Sequence, residues 1–214
     1  MDSRTRGNAS SRTAHRAALV LLTLVASVFV VAPSRADDAP ADTPSPQRLR
    51  PRGEPQATFG AQAGSSTWPG DPIALTTFKL AWRFQDVVAP FFMARVGYGH
   101  VNDRSLVTLI IGAQLWGRLG PARPYVRAAV QHQHEESLAA VRNEPAGALF
   151  GVGDGIRHRA GGDFAAGVDL PLHHGPTLDV YATVEAVADW FPDPRGPSLY
   201  TLGSAALGVS HSFF

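Results

Sequence analysis

From Ala57 onward, apolar residues recur at every second position, and no amphipathic helix longer than two turns interrupts them. In the run Ala74–Phe84, Phe78, Leu80, Trp82 and Phe84 share one face while Thr77, Lys79 and Arg83 share the other. Next, Phe92, Ala94, Val96 and Tyr98 oppose Met93, Arg95, Gly97 and Gly99. Leu109, Ile111, Ala113 and Leu115 oppose Thr108, Gly112, Gln114 and Arg118, with Ile110 and Trp116 intruding on the second face. Val126, Ala128 and Val130 then oppose Arg127, Ala129 and Gln131. Two later runs set Phe164, Ala166, Val168 and Leu170 against Asp163, Gly167 and Asp169, and Leu178 through Trp190 against Asp179, Thr183, Glu185 and Asp189. With Thr58–Ala63 at the start and a last run from Leu199, eight strands are predicted.

The second face decides the architecture. It carries Gly, Ala, Ser and Thr as well as charge, which suits a narrow enclosed lumen better than a solvated surface. A closed barrel in lipid places apolar residues outside and polar ones inside, and pairs every backbone group around the ring. The pattern therefore predicts an all-β fold, an eight-stranded antiparallel transmembrane β-barrel. Its connections fall into two groups. Segments 66–72, 100–104, 135–162 and 192–198 are expected on the external side, with 85–90, 120–124 and 173–176 as short, Pro-marked inner turns. Trp68, Trp82, Trp116 and Trp190 fall near predicted strand ends, as an aromatic girdle requires.

Ahead of the barrel lie two other kinds of segment. Arg4, Arg6, Arg12 and Arg16 precede an uncharged run, Ala17–Val31, and then Ala32-Pro33-Ser34-Arg35-Ala36. A basic start, a 15-residue apolar core and small residues before the cut describe a secretory signal peptide over 1–36. Residues 37–56 hold five prolines and read as a Pro-rich disordered leader. The barrel is expected over 57–214. The formal charge of +1 belongs to the address segment: without residues 1–36, five Arg and one Asp leave, and 14 basic groups face 17 acidic ones. That balance argues against nucleic acid as a partner. The absence of cysteine excludes disulfides, thiol nucleophiles and Cys-ligated metals.

The chain ends Leu207-Gly208-Val209-Ser210-His211-Ser212-Phe213-Phe214. Gly208, His211, Phe213 and Phe214 make this segment similar to the terminal assembly signal of Gram-negative outer-membrane barrels. His211 stands where Tyr is commoner, and Phe214 shifts the end by one residue. As architecture, residues 57–214 resemble the small OmpA/OmpX-type eight-stranded barrels. The resemblance implies a bacterial outer-membrane location, a monomer, and contact with outer-membrane lipid, lipopolysaccharide and the barrel-assembly machinery. It implies no particular activity.

Candidate chemistry concentrates in two places. The inward set comprises Lys79, Arg83, Arg95, Arg118 and Arg127 against Asp163, Asp169, Asp179, Glu185 and Asp189. An eight-stranded lumen is just wide enough to be filled by side chains. These groups are expected to pair as a plug, with Arg83, Arg95 and Arg127 bonded to some of Asp169, Asp179, Glu185 and Asp189. The second place is the long external segment, where His132 and His134 share a strand face and Asp154 and His158 could join them. Their outward phase places them at the lipopolysaccharide rim, where they stand as metal candidates, and no resident cofactor is expected. No His is followed by Ser at i+2, the spacing that outer-membrane lipid A deacylases use, and His211 lies on the opposite face from Ser210 and Ser212. The expected function is structural or surface-interacting and not enzymatic, with 135–162 as the contact region. A narrow solute channel or a lipid-modifying enzyme stands as the alternative.

Overall fold

A computed structural model describes residues 53–211, apart from Asp86 and Asp154. The signal segment, most of the leader, and Phe213 and Phe214 of the terminal signal lie outside the described residues.

Eight antiparallel strands close into a single barrel in sequence order. They are β1 (Gly53–Ser66), β2 (Pro72–Phe84), β3 (Val88–Gly99), β4 (Arg104–Trp116), β5 (Arg123–Ser137), β6 (Arg157–His174), β7 (Leu178–Trp190) and β8 (Leu199–His211). The ring shuts where β1 pairs with β8, from Gln56↔Ser210 to Ser66↔Tyr200. Closure leaves no edge strand, which a sheet surrounded by lipid requires. The strands have 12 to 18 residues, more than the roughly 9–11 that cross a bilayer. Their ends therefore stand clear of the hydrocarbon.

The barrel is inside out relative to a soluble protein. Phe59, Phe78, Leu80, Trp82, Phe92, Ile111, Val130, Phe164, Val184 and Leu207 all project outward, and Val130 is 70% exposed. The alternate residues are buried, among them Lys79, Arg95, Arg127, Asp163 and Asp189. Exposing that many large apolar side chains to water would be costly; lipid removes the cost. No helix among the described residues is long and apolar enough to cross a membrane.

Several boundaries differ from the sequence expectation. β1 begins at Gly53, four residues before the boundary placed at 57, and Pro55 lies in it. The β1–β8 register starts at Gln56, so Pro55 sits where β1 has a neighbour on one side only, a position that tolerates the missing N–H. β5 and β6 run to Ser137 and from Arg157, which shortens the external segment from 135–162 to 138–156. This insertion folds into two short helices, α1 (Leu138–Asn143) and α2 (Pro145–Phe150). Ser137 caps α1 by accepting from Ala140 N at 3.3 Å, Pro145 opens α2, and Gly151 ends it in the left-handed region at φ 70°. Trp82 and Trp190 face outward near opposite ends of the wall, whereas Trp116 is buried in the lumen and is not part of a girdle. Trp68 lies in the β1–β2 connection, where Arg104 stacks on it at 4.8 Å.

A closed ladder of this kind resists dodecyl sulfate until heated. The unboiled protein should migrate apart from the boiled protein on a denaturing gel, with loss of sheet circular dichroism at the temperature where the bands merge. A single band at all temperatures would contradict the closed ring.

Candidate functional site: the charged lumen and the histidine rim

The inward face of each strand is built by alternation alone, so which charges meet depends on the register. β6 places Asp163 and Asp169 inward, β7 places Glu185 and Asp189, and β5 places Arg127. Across the lumen β2 supplies Lys79 and β3 supplies Arg95. Asp163 is fully enclosed and sits between two guanidinium groups: Arg95 Nη2 donates to its Oδ2 at 2.5 Å and Arg127 Nε to its Oδ1 at 2.7 Å. Arg95 Nη1 also donates to Asp189 at 2.8 Å, and Arg127 Nη1 to Glu185 at 2.6 Å. Tyr125 and Gln62 complete the shell of Glu185 at 2.7 and 3.1 Å. Lys79 Nζ donates to Gln114 at 2.9 Å and lies 5.6 Å from the Tyr125 ring centre.

Room for these groups comes from the small residues on the same face. A Cβ at Gly167 would lie 2.7 Å from the Tyr125 ring, and one at Gly208 2.2 Å from the Tyr181 ring. Both tyrosine rings occupy space that a side chain at these glycines would take. Near the inner turns, Trp116 Nε1 donates to Asp169 Oδ2 at 2.9 Å, and Thr183 donates to its other oxygen at 2.7 Å. The space left there, about 10 Å³ lined by Gln56, Arg83, Asp169 and Tyr181 among others, holds about one water molecule.

Three members of the expected inward set behave differently. Arg118 is exposed in the turn after β4 and is not a lumen residue; the strand stops at Trp116, and the Leu119–Ala122 bridge closes a tight connection. Asp179 stands at the barrel mouth and pairs with exposed His174 at 3.1 Å, in place of an arginine. Arg83 pairs with Glu54, which the sequence reading left in the disordered leader.

A second charged centre was missed by that reading. At the opposite end, Glu135 accepts from Arg159 at 2.7 Å, Arg104 at 3.1 Å, Arg157 at 3.4 Å and Tyr200 at 2.8 Å. Arg104 reaches on to Asp71 at 2.5 Å, Asp71 accepts from Val101 N at 2.9 Å, and Arg159 donates to Pro197 O at 2.5 Å. One buried carboxylate and its arginines thereby connect all four longer connections. The signal was present: Glu135 is in phase with Arg127, Gln131 and Gln133, so extending β5 would have turned it inward.

His132, His134 and His158 come together on the outward face above the last apolar residue of β5, Val130. His134 is buried, and its pKa lies below the ordinary imidazole value, first because of that burial and then because of the neighbouring His132 and His158. Asp154, the fourth metal candidate, is outside the described residues. Gly208 lies within β8 and His211 ends it, and His100 lies edge-on to Tyr98 with ring centres 6.5 Å apart.

No protein-family model matches the chain, and no curated protein matches it. Among solved structures, Neisserial surface protein A superposes with a TM-score of 0.51 at 15% identity, covering 75% of this chain and 97% of that one. The N-terminal β-barrel domain of Pseudomonas aeruginosa OprF follows with a TM-score of 0.48 at 16% identity, covering 76% and 98%. Ail, the attachment invasion locus protein of Yersinia pestis, gives 0.45 at 12% identity over 76% and 99%. The fold is that of the small eight-stranded outer-membrane β-barrels. At these identities the likeness is one of fold.

Removing one member of the enclosed set leaves its partner charged and unpaired. Arg127→Ala and Glu185→Ala are each expected to cost about 3–5 kcal/mol in urea unfolding in detergent micelles, and a paired apolar replacement much less. Exposed Arg118→Ala should stay within about 0.5 kcal/mol. Glu135→Gln should leave the barrel closed but open the connections to limited proteolysis, measured by the rate of cleavage within 67–71 and 191–198.

Proposed function

We propose that this protein is a monomeric barrel of the bacterial outer membrane with a structural or surface-interaction role, not an enzyme and not an open channel. The observation that carries the reading is the lumen itself. Arg95, Arg127, Asp163, Glu185 and Asp189 bond to one another across it at 2.5–3.0 Å, and Trp116 and Tyr181 lie buried below them. An open diffusion pore is built from about 16–18 strands. A filled eight-stranded lumen offers a rigid wall and leaves recognition to the connections.

The signal peptide over 1–36 would deliver the chain across the inner membrane, and the terminal segment ending in Phe213 and Phe214 would engage the assembly machinery. Lipid and lipopolysaccharide are then the surroundings of the apolar wall. The insertion 138–156 is the contact region. Phe150, 73% exposed, and Val152 present apolar surface there, and the Glu135 network holds its two flanking strands in place.

Cell fractionation should put the protein in the outer membrane, and a soluble periplasmic product would overturn the location. In planar bilayers the protein is expected to give no steady large unitary current; such a current would favour the channel. Mass analysis of lipid A from expressing cells should match that of non-expressing cells, and a new acylation pattern would favour the enzyme.

A further inference from the structure

The histidine rim has a geometry that the plugged barrel does not need. His132 and His134 lie two residues apart on β5, and His158 of β6 is the register partner of His134. Alternation points all three outward, with His134 and His158 at one level and His132 two residues along the strand. Ring centres are 4.8 Å apart for His132–His134 and for His134–His158, and 5.5 Å for His132–His158. One nitrogen from each ring lies within 4.8 Å of the other two. His132 Nε2 and His158 Nδ1 are 3.3 Å apart. Metal–nitrogen bonds of about 2.0–2.1 Å in tetrahedral geometry put ligand nitrogens about 3.3–3.4 Å apart, so that pair already has the spacing of two ligands.

We propose that His132, His134 and His158 bind a divalent first-row transition ion of the zinc–copper class. The alternative, a merely solvated cluster, leaves His134 unexplained. Its ring is buried and its Nδ1 has no hydrogen-bond partner, a state that buried polar atoms rarely keep. The backbone of Gly151 presses on it: a Cβ there would lie 2.2 Å from the ring. His132 and His158 are exposed and leave an entry path from solvent. Three imidazoles suit zinc and copper better than the hard cations, which take oxygen ligands. The fourth position stays open to water or an outside ligand, as in three-histidine sites generally. Beside the triad, Glu136 and Glu144 line a cavity of about 340 Å³ under the two helices, and one oxygen of Glu136 is buried without a partner. A bound ion would join β5 to β6 at the base of the insertion.

The test uses untagged protein in detergent micelles, stripped with a chelator and titrated with zinc chloride and with copper(II) chloride. Calorimetry is expected to show one tight site per chain. The copper form should show nitrogen hyperfine splitting from three imidazoles in electron paramagnetic resonance. His132→Ala and His158→Ala alter exposed side chains, so heat-modifiable migration should persist while affinity falls at least tenfold. His173→Ala with His174→Ala, at the far end of the barrel, should leave binding unchanged. The proposal is overturned if the His132→Ala/His158→Ala double variant binds as tightly as the parent, if the parent shows no tight site, or if the copper spectrum lacks the nitrogen couplings.

Discussion

Everything in this barrel depends on keeping Asp163 ionised where no water reaches it. A lone carboxylate in such a place carries a desolvation penalty of several kcal/mol. Asp163 avoids that penalty through two guanidinium groups from different strands, Arg95 from β3 and Arg127 from β5. Each arginine in turn holds a second carboxylate on β7, Asp189 for Arg95 and Glu185 for Arg127. The result is a chain of alternating charge that crosses the lumen. No link in it can move alone, because each move would strand a charge. Wall geometry and plug are therefore one problem: the register of β3, β5, β6 and β7 is set where the charges meet.

The glycines and the aromatic rings answer the same constraint from the other side. A lumen of fixed width cannot hold this charge network, Tyr125, Tyr181 and Trp116 unless something is small. Gly167 and Gly208 provide the space, and the rings then cover the charges toward the inner turns. The Glu135 centre repeats the device at the other end with the same signs: there one carboxylate serves three arginines, where Asp163 serves two. Two charge centres, one deep and one at the loop end, frame the apolar cluster of Ile73, Leu106, Val187, Phe191 and Tyr200.

Alternation made most of this readable in advance. The period of two marks inward and outward residues directly, so the sequence alone assigns Lys79, Arg95, Arg127, Asp163 and Asp189 to the interior. Partners were not readable, because they depend on tilt and stagger, which a one-dimensional pattern does not contain. Boundaries failed where composition opposed phase. Pro55 made Glu54 look like leader, though it pairs with Arg83 in β1. Glu135 and Glu136 looked like the start of a loop, though their phase continued β5. Arg118 kept the phase of β4 past its end, because Gly117 and the tight Leu119–Ala122 turn break the strand without breaking the alternation. The histidine rim was visible as a spacing of two on one strand. Its third member needed the β5–β6 register, which places His158 opposite His134.

The closure of β1 on β8 sets the order in which the barrel can be made. Seven of the eight ladders join strands that follow one another in the chain, and all but the β5–β6 ladder cost only a short loop to form. The eighth joins Gln56 to Ser210, the two ends of the described chain. No local contact rewards it in advance, and non-local pairings of this kind form slowly. Until it forms, β1 and β8 are open edges, able to pair with any other strand they meet. The barrel is thus at greatest risk of mispairing just before it is complete, and whatever holds those two edges in register governs its yield.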